Sequence, residues 1–296
     1  MAAFSFAFMD NILSLHHELV EKTYKHGGYH TFKINDPKPR EIHKASVRDR
    51  LVHHAVFRIL SPYFERQFIF DSYSSRLGKG THKAINRLRS FIGKVSKNHT
   101  KTAWILKCDI KKFFASIDHG ILKTILAEYI CDKNILWLLA QIIDSFHTKE
   151  KPGTGLPLGN LTSQLFVNVY MNIFDQFAKR KLRARHYIRF ADDFVIVHRN
   201  KKHLENFITK ISEFLGNRLK LSPHPNKVSI RTITSGVDFL GWVHFPKYRV
   251  LRTSTKRRIF KRLKKNRNNA SVQSYLGLMR HGNTYKLRKK TQITNS

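Results

Sequence analysis

A chain of 296 residues with 55 Lys and Arg against 20 Asp and Glu, formally +35 with His neutral, is long enough to bury a core but too basic to stand without a polyanionic partner. With 41% apolar residues and 22 Phe it is no disordered polycation, and no stretch reaches the roughly 18 consecutive apolar residues of a membrane span. Nucleic acid is the expected partner, because Lys and Arg bind phosphates with release of counterions. Cys108 and Cys131 are the only cysteines, which excludes a disulfide framework and a Cys-rich zinc site and points to a reducing, cytoplasmic location.

The first nine residues are apolar but lack a basic start and are closed by Asp10, so they read as the beginning of a helix packed on the body, not a secretory signal. That helix covers Asp10 to Tyr24. Residues 30–35 and 40–43 flank a Pro-rich turn and form a β-hairpin. Ser46, with Asp49 three residues on, caps a helix through Leu60 whose stripe is Leu51, Val52, Ala55, Val56 and Ile59. The apolar run 102–108 is a strand ending at Asp109. A helix from Asp118 turns Ile121, Leu122, Ile125 and Leu126 inward. Another opens after Gly159, with Asn160, Thr162 or Ser163 as its cap. Its apolar face is Leu165, Phe166, Val169, Tyr170, Ile173, Phe174 and Phe177, and Lys179, Arg180 and Lys181 suit the negative end of its dipole. Strands 186–190 and 194–198 are separated only by Ala191-Asp192-Asp193, a tight hairpin with two carboxylates at its tip. An amphipathic helix marked by Leu204, Phe207, Ile208, Ile211 and Phe214 follows. This order predicts an α+β fold, an antiparallel sheet with helices on one face. From Arg252 to Arg267 basic residues dominate, which sets a subdomain break near residue 250.

Two adjacent carboxylates in a basic chain repel each other unless a cation is shared between them. Hard divalent ions take oxygen ligands, and phosphoryl transfer by two such ions about 3.5–4 Å apart needs carboxylates from elements fixed relative to each other. Asp109 at a strand end and Asp192-Asp193 on a hairpin meet that need if the strands are neighbours, and the carbonyl of Ile110 could complete the shell.

These residues also resemble a known family. Phe190-Ala191-Asp192-Asp193 resembles the Tyr/Phe-x-Asp-Asp box of reverse transcriptases, and Cys108 to Phe114 resembles their first catalytic motif. The segment from Gly155 to Gln164 is similar to the template- and nucleotide-contacting motif between them. Phe70 to Ala84 resembles a fingers motif of the group II intron-like branch, and Val237 to Trp242 resembles the primer grip. Leu158 stands where most of that branch has Gln, and Ser163-Gln164 where it has Ser-Pro. That form, with the tails 274–278 and 281–285, resembles the enzymes of diversity-generating retroelements, and the lack of a maturase or endonuclease segment after the thumb suits them.

The resemblance implies a right-hand polymerase: fingers over 1–100, palm over 101–250 with a fingers segment at about 130–160, and a short helical thumb over 251–296. It implies that Asp109, Asp192 and Asp193 bind two Mg²⁺, replaceable by Mn²⁺, with Ile110 adding its carbonyl. Nucleotide binding would fall to Arg40, with Lys33 or Lys38 nearby, and to Phe114 as a gate against the ribose 2′-OH, Leu158, Gly159 and Lys227. Template and primer would meet Arg76, Ser163, Gln164, Phe239, Leu240, Gly241, Trp242 and the thumb residues Lys256, Arg257 and Lys261. The expected partners are an RNA template, its RNA–DNA hybrid, dNTPs and a small basic accessory variability protein. The expected function is error-prone cDNA synthesis from a template-repeat RNA. The rival readings are a free-standing group II intron-like or defence-associated reverse transcriptase, and a catalytically silent RNA-binding scaffold.

Overall fold

The computed structural model describes residues 6–35, 39–265 and 268–293. The chain opens with α1 (Phe8–Val20), anchored by buried Leu15 with Leu19 packed beside it, while Met9, Leu13 and Val20 face solvent. The expected helix therefore forms but docks along a narrow line. Strands β1 (Tyr29–Ile34) and β2 (Arg40–Ala45) make the anticipated antiparallel hairpin. In α2 (Val47–Glu65) the Ser46 hydroxyl accepts from the Asp49 N–H, as the capping pattern requires. Its buried row is Asp49, Val52, His53, Val56, Leu60 and Phe64, whereas Ala55 and Ile59 lie on the solvent side. The expected stripe is thus corrected: the i, i+4 series through 52, 56 and 60 sets the inner face, and 55 and 59 fall beyond its edge.

Helix α3 (Thr81–Val95) precedes β3 (Trp104–Asp109). Then come a 3₁₀ turn at Phe113–Ser116, α4 (His119–Tyr129), α5 (Lys133–Asp144) and α6 (Leu161–Gln176). Asn160 stands at the N-cap position of α6 but makes no side-chain bond to the helix. Its amide donates to the His43 carbonyl at 2.8 Å and accepts from the Ala45 N–H at 3.4 Å, tying the fingerlike hairpin to the helix start. Helix α6 is buried on nearly every side, so it is the central helix of the molecule and not a one-faced surface element.

Strands β4 (Tyr187–Phe190) and β5 (Asp193–His198), helix α7 (Lys201–Leu219) and β6 (Ser229–Thr232) complete the central sheet, an antiparallel array in the order β4-β5-β3-β6. Side chains alternate across it. Leu106, Cys108, Tyr187, Phe194 and Ile196 enter one core with α2, α4, α5, α6 and α7. Ile105, Ile188, Val195 and Val197 enter a second core with α3 and the C-terminal part of the chain. Both faces are therefore covered, which corrects the one-face expectation; the near-continuous apolar runs of β3 and β5 are what a doubly buried strand requires. The C-terminal part consists of a three-stranded antiparallel sheet, β7 (Val237–Phe239), β8 (Trp242–His244) and β9 (Arg249–Leu251), then α8 (Thr253–Lys265), α9 (Asn269–Met279) and α10 (Tyr285–Ile293).

Candidate active site

The register of β3 against β5 places Asp109 directly opposite Asp193. Opposed residues of an antiparallel pair have Cα atoms about 4.5–5.5 Å apart, so carboxylates 84 positions apart in the chain share one spot. Phe190 pairs with Asp193, which leaves Ala191 and Asp192 as a two-residue turn. Asp193 thus begins a strand and only Asp192 sits on the tip. Ala191 has φ +54°, a left-handed backbone that costs an L-residue roughly 1–2 kcal/mol.

A buried cation holds this turn. The Arg189 guanidinium donates to the Ala191 carbonyl at 3.1 Å and makes a two-pronged pair with Asp175 of α6, Nε at 2.8 Å and Nη2 at 2.7 Å. It also reaches Ser72 and Asn168, and Tyr187 donates its hydroxyl to the same Asp175 at 2.6 Å. Both charged side chains are fully buried. Sequence reasoning passed over this pair, although an Arg inside the apolar strand Tyr187-Ile188-Arg189-Phe190 was a visible signal, because a buried Arg must find a carboxylate.

The electrostatics of the carboxylates follow from their closeness. Burial, with Asp109 and Asp192 beside it, pushes the Asp193 carboxyl up to about 7, against the pull of Lys107. Burial and then Asp109 raise Asp192, opposed by Lys227 and Arg40. Asp193 Oδ1 is buried without a hydrogen-bond partner, and its Oδ2 lies 3.5 Å from Lys107 Nζ. Lys227 Nζ donates to Asp109 Oδ1 at 2.7 Å. Two ammonium groups therefore occupy the neighbourhood that a divalent ion would neutralise. Among the described residues no three His, Cys, Asp or Glu side chains are gathered as a ready-made metal cluster, and Asp109 is engaged by Lys227 through its Oδ1. The donor chemistry nonetheless fits a hard cation: oxygen ligands only, mutual repulsion, and an orphaned carboxylate oxygen. Ile110 is buried and bridged to Pro223 through bonds from the His224 N–H to the Asp109 carbonyl and from the Lys111 N–H to the Ser222 carbonyl; neither bond uses the Ile110 carbonyl.

Of the expected nucleotide-binding residues, Phe114, Leu158 and Gly159 are linked by contacts between their segments and to the hairpin. The Leu156 N–H donates to the Phe114 carbonyl at 2.9 Å, and the His43 N–H donates to the Leu158 carbonyl at 2.9 Å. Gly159, at φ +108°, lies so close to Ile42 that a Cβ there would stand 2.7 Å from the Ile42 Cγ2, so a side chain would force the hairpin away. Phe113 is the core member of its pair; Phe114 is half-buried and packs against the same core. Arg40 and Ile42 share one face of the hairpin, and Arg40 is near enough for its charge to act on Asp192. Lys33 pairs with Glu41 and so occupies the opposite face. Lys38 lies outside the described residues.

Several template and primer expectations are corrected. Every nitrogen of the Arg76 guanidinium is used internally, by Glu65 and by the carbonyls of Ile69 and Ser72, so Arg76 braces its own loop and is not free for template. Ser163 is buried in the first turn of α6, whereas Gln164 is exposed. Phe239 and Trp242 are core residues; only Leu240 and Gly241, in the left-handed turn between β7 and β8, remain partly accessible. Lys256, Arg257 and Lys261 are exposed on α8, whose Ile259 and Leu263 are buried.

An antiparallel sheet carrying facing acids at a strand end and an adjacent turn, walled by a hairpin and backed by helices, defines the right-hand fold of nucleic-acid polymerases. The chain belongs to the reverse transcriptase (RNA-dependent DNA polymerase) family, whose profile it matches over residues 10–244. It is 25% identical over 240 residues to protein YkfC of Escherichia coli, covering 69% of this chain and 62% of that one. It is 24% identical over 186 residues to the group II intron-encoded protein LtrA of Lactococcus lactis subsp. cremoris, covering 60% of this chain and 30% of the relative. Among solved structures, telomerase from Candida albicans, in complex with a fragment of telomeric RNA, superposes with a TM-score of 0.60 at 11% identity over 84% of this chain and 53% of that one. Apo telomerase from Candida tropicalis, truncated from its C-terminal domain, gives 0.59 at 13% identity over 82% and 60%. The chain thus spans less than two thirds of each of these relatives. Among the described residues no helix is long and apolar enough to cross a membrane.

Proposed function

We propose that the chain extends a primer 3′-OH on an RNA template with dNTPs, and that Asp109, Asp192 and Asp193 hold two Mg²⁺ ions for the transfer. The carrying observation is the β3–β5 register that sets Asp109 against Asp193, one residue from Asp192. The ions, when bound, would activate the primer hydroxyl and neutralise the charge developing on the phosphates. The chain's own residues do the rest. Arg40, near enough for its charge to act on Asp192, would take phosphate oxygens, which suits a forked donor. Lys227, now on Asp109, is placed to hold a proton for the leaving pyrophosphate. Phe114 crowds the sugar, and Arg189 keeps the acidic turn in shape. We assign fingers to residues 1–100 with a segment at about 130–160, palm to 101–250 and thumb to 251–296, with Lys256, Arg257 and Lys261 tracking the RNA–DNA hybrid by its backbone.

Extension of a DNA primer on RNA, compared with the same primer on DNA and with NTPs in place of dNTPs, tests this reading. Mg²⁺-dependent incorporation of dNTPs on RNA is expected; none under any divalent ion would leave the RNA-binding scaffold.

Within the family we infer the diversity-generating type, working in the cytoplasm with a small basic accessory protein. Leu158 supports it. Its side chain is half-buried at the position where most group II intron-like relatives carry Gln, and an aliphatic group offers no hydrogen bond to check the pair. Errors opposite template adenine are expected. Leu158→Gln should lower misincorporation about tenfold; unchanged fidelity would refute the role, and a flanking pair of DNA repeats differing at adenines would support the biological setting.

A further inference from the structure

A second polar site lies away from the carboxylates, where α3 meets the turn joining β8 to β9. Arg89, Ile92, His244, Phe245, Tyr248 and Arg249 line a narrow cleft of about 20 Å³, room for a single water-sized oxygen. Its inner wall holds two buried polar atoms without partners, Arg249 Nη1 and His244 Nε2, and His244 is 2% exposed. The rest of the Arg249 guanidinium is fixed, with Nη2 donating to the Asn86 side chain at 2.8 Å and Nε to the His281 carbonyl. The free nitrogen is therefore held in place, not swinging in solvent. Arg89 is exposed on α3, and no carboxylate lines the cleft among the described residues.

At the mouth, Tyr248 is 49% exposed and stacks on Phe245, ring centroids 5.0 Å apart and 27° between planes. The Phe245 N–H donates to the Tyr248 carbonyl at 2.8 Å, which locks the turn that carries both rings. Gly236 makes room beneath: a Cβ there would stand 2.9 Å from the Phe245 ring.

We propose that this cleft is a single-nucleotide subsite for an RNA strand, with a phosphodiester between Arg89 and Arg249 and its base stacked on Tyr248. Two guanidiniums without an acid repel each other until an anion joins them, and burial and then Arg89 depress Arg249 as it stands. An anionic oxygen accepts from Arg249 Nη1, beside the His244 ring, which burial and then Arg249 push down to about 4 and so keep neutral. The cleft is too narrow for a base, whereas an exposed, braced ring is what a base stacks on, and arginine plus aromatic is the usual pairing for single strands. The inference rests on the proposal that the chain works on RNA, but its test needs neither Mg²⁺ nor dNTPs. It can therefore fail while polymerisation stands, or hold while polymerisation fails.

The probe is an oligo(U) RNA of about 12 nucleotides carrying 5-iodouridine, titrated at fixed salt and crosslinked by light. The crosslink should map to Tyr248. Tyr248→Ala should weaken binding at least fivefold without changing the salt dependence. Arg89→Gln should weaken it and lower the slope of log affinity against log salt by about 0.7. Lys202→Gln, at an exposed position of α7, serves as the charge control. Arg89 and Tyr248 are not core residues, so these variants keep the test open should Arg249→Gln fail to fold. Losses no larger than the control's, or a crosslink elsewhere, would overturn the proposal. So would variants that lose affinity for inorganic phosphate but not for RNA, since the cleft would then hold a free anion. A DNA oligonucleotide bound as tightly and crosslinked equally would overturn the choice of RNA.

Discussion

The carboxylate turn and helix α8 pose opposite electrostatic problems within one chain. At the turn, three acids crowd a half-buried spot and are quieted by Lys107 and Lys227, with one carboxylate oxygen left unpartnered. On α8, Lys256, Arg257 and Lys261 spread over an exposed face of a helix that contains no acid at all. The first region concentrates negative charge where folding alone would avoid it; the second disperses positive charge where water tolerates it. Under the proposed function each would take a partner of the other sign, a divalent ion in one case and a phosphate backbone in the other. The contrast shows how a strongly basic chain can keep an acidic centre: the acids are held by backbone register, and Lys107 and Lys227 offset part of their charge.

The largest effect is expected where that register is braced. Arg189→Met strands Asp175 as an uncompensated buried carboxylate and should destabilise the fold by about 3–5 kcal/mol in denaturant titrations. A loss below about 1 kcal/mol would mean that the turn holds itself. Next, neutralising Lys256, Arg257 and Lys261 together should lower the slope of log affinity against log salt for an RNA–DNA hybrid by about 2–3, since each phosphate contact contributes about 0.9. An unchanged slope would make α8 merely a solvated surface.

A smaller and more diagnostic effect concerns Asp193. Its folded carboxyl titrates near 7, above the usual range near 4, so the folded state holds a proton that the unfolded chain releases. Stability from this group is present below about pH 4 and is lost as pH rises toward 7 in the metal-free protein. Asp193→Asn removes that penalty. It should raise the metal-free Tm by about 2–4 °C at pH 8, with little change near about pH 4. Saturating Mg²⁺ should narrow the difference by stabilising only the wild type. A lower Tm for Asp193→Asn at pH 8 would refute the stored repulsion.

Much of this was legible in residue order. The hairpin, the Ser46 cap, strand β3 ending at Asp109 and the acidic turn all announce themselves, because capping, alternation and turn chemistry act within a few residues. What stayed hidden depends on long-range packing. Arg76 looked like a template contact until Glu65 and two carbonyls consumed its donors, and Phe239 and Trp242 looked like a grip until the second core absorbed their rings. Covering both faces of the sheet needs the C-terminal strands and helices folded back onto β3–β5, which no local pattern specifies. Arg189 was passed over because its partner Asp175 lies on another element.

The most direct test compares wild type with Asp192→Ala in Mg²⁺-dependent addition of labelled dNTP to a primer annealed on RNA, with matched folding and hybrid affinity. The convergent carboxylates predict incorporation by the wild type and a loss of at least about 10³-fold in the variant, in line with the several kcal/mol that bound metal supplies to the transition state. Incorporation by Asp192→Ala within tenfold of wild type would contradict them.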